Sequence, residues 1–133
     1  MVASGATMSS ARRVLVVDDS PAMRRNVVLA LQLLTRVECV EAADGLEALR
    51  RFSQGRFDLV VTNINMPGLN GLELIGSVRA ADAHVPVLVI STEGSERVKA
   101  RALELGASSY LTKPVRAEAV LAVVQGLLAG RRA

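Results

Sequence analysis

Short, mostly apolar runs alternate along the chain with longer stretches of mixed polarity. The apolar runs lie at residues 13–17, 37–42, 57–62, 85–90 and 108–112. A short run of consecutive apolar residues is typical of a strand buried on both faces of a parallel sheet. The run Leu59-Val60-Val61, followed by polar residues and a Pro-Gly pair, is the clearest of them. The pattern predicts five buried strands.

The stretches between these runs carry the signals of helix ends. Ser20 followed by Pro21 is a favoured N-cap and first helical residue. Asp44 with Glu47, and Asn70 with Glu73, have the spacing of a capping box. Gly106 is a natural left-handed end for a helix. The predicted helices cover about residues 21–34, 44–52, 70–80, 95–105 and 117–128. In the first of them the residues expected to face inward are Met23, Val27, Leu31 and Leu34.

Strict alternation of strand and helix predicts an α/β fold with a parallel sheet and right-handed crossovers. At this length the common arrangement is the flavodoxin-like (βα)5 three-layer sandwich, a five-stranded sheet of order 2-1-3-4-5. Its first and third strands are adjacent where the strand order reverses, and ligands bind beyond the carboxyl ends of such strands. We expect one domain over residues 12–130, preceded by a flexible tail at residues 1–11.

Composition narrows the function classes. The chain has 133 residues, of which 50% are hydrophobic and only 2% aromatic, so the core must be aliphatic. The formal charge is +3, but the basic residues are scattered and lack aromatic partners, which disfavours nucleic-acid binding. A single cysteine, Cys39, excludes an internal disulfide and suits the cytoplasm. No apolar run reaches the ~18 residues of a membrane span.

Polar residues follow four of the predicted strands at their carboxyl ends. Asp18-Asp19 follows the first strand, Asn63 and Asn65 the third, Ser91 the fourth and Lys113 the fifth. Two adjacent carboxylates repel each other unless a cation neutralises them, and oxygen ligands suit Mg²⁺. A lysine with a hydroxyl opposite suits the oxygens of a phosphoryl group. Each feature alone is common in proteins without such a site, but together they predict a Mg²⁺-phosphoryl site.

Several motifs at these strand ends carry a family resemblance. They are the segment Val-Leu-Val-Val-Asp-Asp-Ser at 14–20, Asn-Met-Pro at 65–67 with Gly71, Ser91, and Tyr-Leu-Thr-Lys-Pro at 110–114. With these motifs the chain resembles a response-regulator receiver domain of two-component signalling, of the single-domain chemotaxis type. The resemblance covers about residues 12–128.

The resemblance implies a role for each matching residue. In such receivers the acidic pair and an aspartate at the end of the third strand bind Mg²⁺. That aspartate accepts a phosphoryl group from a histidine kinase or phosphotransfer protein. Carried over, the metal ligands are Asp18, Asp19 and the backbone carbonyl of Asn65. The phosphoryl contacts are Ser91 and Lys113, and Tyr110 is the switch residue. The Lys113–Pro114 peptide bond is expected to be cis.

The departure from the family pattern is Asn63, which stands at the phosphoacceptor position. An amide is not a carboxylate nucleophile, so acyl-phosphate formation by the usual route is closed. The intact surroundings favour an Asp-to-Asn substitution that fixes the unphosphorylated state. A natural pseudo-receiver that signals through contacts alone is the alternative. A third possibility is a Mg²⁺-dependent phosphohydrolase, but such an enzyme needs its own nucleophilic carboxylate at the strand end, and this chain has none there. We therefore expect a protein that is not an enzyme.

Output is expected through the face formed by the fourth helix, the fifth strand and the fifth helix. A homodimer through the same face is a second use of it. Residues 117–128 are apolar nearly all round, which predicts either exposed apolar surface or, because alanines dominate, a modest area. In the resting state we expect Ser91 far from Lys113 and Tyr110 pointing outward or divided between rotamers.

Overall fold

The computed structural model describes residues 11–130. Strands and helices alternate without exception along these residues, as the sequence pattern predicts. The strands are β1 (Arg12–Val17), β2 (Val37–Ala42), β3 (Leu59–Thr62), β4 (Val87–Ser91) and β5 (Ser109–Thr112). The helices are α1 (Pro21–Leu31), α2 (Gly45–Gln54), α3 (Gly71–Ala81), α4 (Glu96–Leu105) and α5 (Ala117–Ala129). The predicted tail at residues 1–11 lies, except for Ala11, outside the described residues. Along residues 11–130, no helix is long and apolar enough to cross a membrane.

The five strands form one parallel sheet in the order β2-β1-β3-β4-β5, which confirms the predicted topology. In the centre of the sheet, Val16 of β1 stands beside Val61 of β3, and Thr62 of β3 stands beside Val89 of β4. This register brings the carboxyl ends of β1, β3 and β4 to the same edge. Polar residues that follow these strands therefore meet there.

The core has two halves, one on each face of the sheet, because successive strand residues point to opposite faces. Leu15 and Val17 contribute to the half under α2, α3 and α4, with Ile75 of α3 among its members. Val14 and Val16 contribute to the half under α1 and α5. The helix residues on that side are Val28, Leu31, Val120, Val124 and Leu128. The result is the predicted three-layer sandwich.

Most of the predicted helix ends are confirmed. Ser20 caps α1 and accepts a hydrogen bond from the Met23 N–H at 3.3 Å. Asn70 and Glu73 form a reciprocal capping box at α3, with both bonds at 2.9 Å. Gly106 ends α4 with φ of 119°, a left-handed conformation that favours glycine. Two helices differ from the prediction: α1 ends at Leu31 rather than Leu34, and α2 runs to Gln54. At α2 the Asp44 side chain caps the Glu47 N–H, but the Glu47 carboxylate accepts from the Ala43 N–H, so the predicted box is only half formed.

Arg79, near the end of α3, ties three segments together at the amino end of β4. Its Nη1 donates to the carbonyl oxygens of Asp82 at 3.0 Å and Val85 at 2.8 Å. Its Nη2 donates to the carbonyl oxygen of Gly106 at 2.6 Å. One guanidinium thus satisfies three carbonyls at the edge of the sheet opposite the predicted site.

Candidate functional site

Backbone hydrogen bonds bring the predicted site residues to one edge of the sheet. The Asn63 N–H donates to the Val17 carbonyl at 3.1 Å, which places Asn63 beside the end of β1, where Asp18 follows. The Lys113 N–H donates to the Ser91 carbonyl at 2.8 Å, which aligns the ends of β4 and β5. The four strand ends therefore converge as the strand order requires.

Asp18 is the buried anion of the site. Its Oδ1 accepts from the Ser20 N–H at 3.0 Å, and its Oδ2 accepts from Lys113 Nζ at 3.1 Å. The side chains of Lys113 and Asp18 are 9% and 6% exposed, so salt screens this ion pair only weakly. Loss of either partner would leave a buried charge without compensation. The pair links β1 to the segment after β5.

Arg24 is a site neighbour that the sequence reasoning missed. Its Nη1 donates to the Asp18 carbonyl oxygen at 2.6 Å, and its Nε pairs with Glu41 Oε1 at 2.8 Å. Arg24 thus fixes the backbone of the acidic pair against the end of β2. Its place one turn after the Ser20 cap was the only signal, and scattered arginines elsewhere made that signal weak.

Asn63 is half-buried, and both ends of its amide are hydrogen-bonded within its own loop. Oδ1 accepts from the Ile64 N–H at 2.8 Å, and Nδ2 donates to the Asn65 carbonyl oxygen at 3.1 Å. The partners fix which atom is which, because an N–H requires an acceptor and a carbonyl requires a donor. The carbonyl predicted as a metal ligand is therefore engaged by the amide.

The start of α3 packs directly against this loop. The Gly71 N–H donates to the Ile64 carbonyl at 2.8 Å, and Thr62 Oγ1 donates to the Asn63 carbonyl at 2.9 Å. A Cβ atom on Gly71 would lie 2.1 Å from the Asn63 carbonyl oxygen, which no real contact permits. Glycine at this position allows the close approach of helix and loop.

Ser91 and Tyr110 both bind the backbone of Glu93. Ser91 is fully buried, and its Oγ accepts from the Glu93 N–H at 3.1 Å. The Tyr110 hydroxyl donates to the Glu93 carbonyl oxygen. Burial raises the pKa of Tyr110, and the nearby Ser91 hydroxyl opposes part of that rise.

Tyr110 is not turned outward here, because its half-buried ring packs on the core and its hydroxyl has a backbone acceptor, and the alternative of a Tyr110 divided between rotamers stays a prediction. Lys113 Nζ binds Asp18 rather than the Ser91 hydroxyl. The Lys113–Pro114 peptide bond is cis, as expected.

The donor set can be compared with what Mg²⁺ requires. Asp18 and the exposed Asp19 offer carboxylate oxygens, and Asn65 offers a carbonyl oxygen, which are ligands of the kind Mg²⁺ prefers. Among residues 11–130, no three His, Cys, Asp or Glu side chains are grouped to hold a metal by themselves. The residues fit the ion in kind, and the Asn65 carbonyl already accepts one hydrogen bond from the Asn63 amide.

The comparisons with known proteins agree on one family. Residues 14–125 match the family described as the response regulator receiver domain. The chemotaxis protein CheY-3 of Vibrio cholerae is 39% identical over 114 residues, which are 84% of this chain and 88% of that protein. The transcriptional regulatory protein PrrA of Mycobacterium tuberculosis is 40% identical over 119 residues. Those residues are 90% of this chain but only 51% of PrrA, so the chain spans about half of that relative.

Solved structures show the same relationship in three dimensions. The Vibrio cholerae chemotaxis protein CheY4 superposes with a TM-score of 0.83 at 35% identity, covering 89% of this chain and 99% of that one. A CheY-like receiver domain from Methanospirillum hungatei reaches a TM-score of 0.86 at 25% identity, covering 90% and 95%. The chain belongs to the response-regulator receiver domain family. Receiver domains are modules of two-component signalling that work with kinases and downstream partners, and they generally bind Mg²⁺ at the acceptor site.

Proposed function

We propose that this chain, over residues 12–130, is a cytoplasmic receiver held in the unphosphorylated form that signals through protein contacts and not as an enzyme. The observation that carries the proposal is the amide of Asn63. It stands beside an intact ion pair of Asp18 and Lys113, whose charged atoms are 3.1 Å apart. The acceptor position itself offers no carboxylate nucleophile.

Mg²⁺ would be held by the carboxylates of Asp18 and Asp19 and by the Asn65 carbonyl. When bound, the ion supplies positive charge that offsets the charge of phosphoryl oxygens. The Ser91 hydroxyl and the Lys113 ammonium are the donors proposed for those oxygens. At rest Ser91 Oγ accepts from the Glu93 N–H, which leaves its own hydrogen available to donate, whereas Lys113 binds Asp18, so phosphoryl binding would require Lys113 to leave Asp18.

A phosphorylation assay tests this function. Incubation with acetyl phosphate and Mg²⁺ is expected to leave the parent protein unmodified, whereas Asn63→Asp acquires acid-labile phosphate. Asn65→Asp is the matched control, since it adds the same charge two residues away and is expected to stay unmodified. Acyl phosphate on the parent protein with deamidation excluded, or none on Asn63→Asp, would contradict the proposal.

A natural pseudo-receiver is the second candidate. The observation that favours it is that both ends of the Asn63 amide are hydrogen-bonded within the loop, which makes asparagine well suited to this position. In this reading the phosphoryl group was never the signal. Equal affinity of the cognate partner for the parent protein and for phosphorylated Asn63→Asp would favour the pseudo-receiver, whereas tighter binding of the latter favours the locked receiver.

The output face that we propose consists of α4, β5 and α5, and a homodimer through it is a further use. The large side chains of α5 are buried or half-buried, and its exposed residues are mostly small or polar, so the modest-area alternative holds for this helix. Leu103 of α4 is 50% exposed and is the large apolar side chain that this face offers. Leu103→Ser is expected to weaken partner binding without unfolding the domain. NMR shifts confined to α2 and α3 on adding the partner would refute the face.

A further inference from the structure

The Asn63 loop contains a contact that asparagine can make and aspartate cannot. Nδ2 of Asn63 lies 3.1 Å from the Asn65 carbonyl oxygen and donates a hydrogen to it. An aspartate in the same position would set a second acceptor oxygen against that carbonyl. Two acceptors at this distance need a cation or a proton between them. The amide hydrogen therefore lies between the Asn63 side chain and the Asn65 carbonyl oxygen, where an aspartate at position 63 would need a cation.

The acidic pair has a similar internal partner. Lys113 Nζ binds Asp18 Oδ2 at 3.1 Å, and both side chains are nearly buried. Of the three predicted ligand groups, the Asp18 carboxylate and the Asn65 carbonyl each accept a hydrogen bond from a side chain, whereas the exposed Asp19 carboxylate accepts none from residues 11–130. The buried Asp18 carboxylate and the carbonyl of the exposed Asn65 thus each have a side-chain hydrogen-bond donor from the protein itself.

We propose that the Asn63 amide nitrogen, together with the Lys113 ammonium, replaces the divalent cation in this receiver. The site then keeps its resting geometry without Mg²⁺, and Mg²⁺ binds only by displacing the amide from the Asn65 carbonyl. The inference rests on the proposed receiver function, because it takes Asp18, Asp19 and Asn65 as the metal ligands. The inference goes beyond that function in one respect, because the amide is taken to compete with Mg²⁺ for the Asn65 carbonyl. If only the lost charge mattered, the amide would be a weaker metal ligand than a carboxylate but would not compete with the metal.

The variant Asn63→Ala separates the two explanations. Alanine is neutral, like asparagine, and it offers neither an amide hydrogen nor an amide oxygen. If asparagine is merely an uncharged ligand, its removal leaves Mg²⁺ affinity equal or weaker. If the amide competes for the carbonyl, its removal tightens Mg²⁺ binding. The expected gain is about fivefold, the factor that corresponds to one net hydrogen bond of about 1 kcal/mol.

The experiment is calorimetric titration of Mg²⁺ into the full chain. Asn63→Ala is expected to bind about fivefold more tightly than the parent, and Asn63→Asp more tightly still because it adds a charged ligand. Gln125→Ala, which removes an exposed amide on α5, is the matched control and is expected to bind as the parent does. Affinity of Asn63→Ala equal to or below that of the parent would overturn the proposal.

A second readout needs no variant and so does not depend on the folding of one. Scalar coupling across the hydrogen bond between Asn63 Nδ2 and the Asn65 carbonyl carbon is expected in the NMR spectrum of the parent protein. The coupling is expected to vanish as Mg²⁺ saturates the site. Its absence without Mg²⁺, or its persistence at saturation, would refute the competition. Phosphorylation of Asn63→Asp is a separate measurement, so a failure of the receiver function is distinguishable from a failure of this inference.

Discussion

Gly71→Ala would place a new side-chain atom directly against the backbone of the Asn63 loop. A Cβ atom at this position would lie 2.1 Å from the Asn63 carbonyl oxygen and 2.8 Å from the Ile64 Cα. Both neighbours are backbone atoms, so no side-chain rotation can relieve the contact. Either α3 moves away from the loop or the Asn63 loop itself deforms. The substitution therefore tests how closely the helix supports the acceptor position.

The magnitude follows from two opposing contributions. Overpacking against fixed neighbours costs typically about 1–3 kcal/mol, and backbone neighbours favour the upper part of that range. Alanine recovers up to about 1 kcal/mol of helix propensity. We expect the free energy of unfolding of Gly71→Ala to fall by about 2 kcal/mol. Gly76, in the same helix, has no atom within 4 Å of an added Cβ. Gly76→Ala is therefore expected to raise that free energy by about 0.5–1 kcal/mol.

Urea unfolding followed by circular dichroism measures both variants. With slopes of about 1–3 kcal/mol/M for small domains, the Gly71→Ala midpoint is expected to move down by about 1 M. Gly76→Ala is expected to move up by less. A Gly71→Ala variant as stable as the parent, or midpoints that shift in the same direction for both variants, would refute the steric conflict at Gly71, because helix propensity alone would then explain both results.

Three other side chains give separate tests. Burial, with Glu41 adding to it, raises the pKa of the Cys39 thiol from 9.0 to about 11. Alkylation by iodoacetamide at pH 8 is thus expected to be up to about 100-fold slower in the folded protein than in urea. Because the unfolded chain loses this proton first, the free energy of unfolding falls as the pH rises from about 9 to about 11. Arg79→Met leaves three carbonyls without their donor and is expected to lower the free energy of unfolding by about 2–3 kcal/mol in urea titrations. An unchanged free energy of unfolding would contradict the role of Arg79 in holding these carbonyls. Thr112 Oγ1 is buried without a hydrogen-bond partner among residues 11–130, so Thr112→Val is expected to raise the melting temperature, and a lower one would contradict that assignment.

Local signals in the sequence predicted the elements and their order well. The Asn70-to-Glu73 spacing and Gly106 act within a few residues of chain, so their physics is present in the sequence itself. The strand order required only the alternation of elements and a fold-level rule. The predicted strand order alone placed the ends of β1 and β3, and with them Asp18 and Asn63, next to each other. The convergence of the site was predictable for this reason.

Side-chain partners were less predictable, because they depend on packing between distant segments. The spacing of Met23 and Val27 predicted the inward face of α1, yet these two are half-buried and Val28 and Ala30 are buried. The helix packs on the sheet and on α5 together, so its buried face is broader and rotated. Tyr110 likewise turned inward because the Glu93 carbonyl accepts its hydroxyl, a contact across 17 residues that no local pattern encodes.

The double attachment at Glu93 has a consequence for how the site communicates with β5. Ser91 holds the N–H of this residue and Tyr110 holds its carbonyl, on either side of one Cα atom. The φ and ψ angles of Glu93 therefore contribute to the geometry between the two hydroxyls. A main-chain rotation at Glu93 would therefore move both hydrogen-bonding groups, in addition to the direct effect of the Ser91 hydroxyl on Tyr110. Such a link tolerates any side chain at position 93 except proline, which fixes φ and removes the N–H.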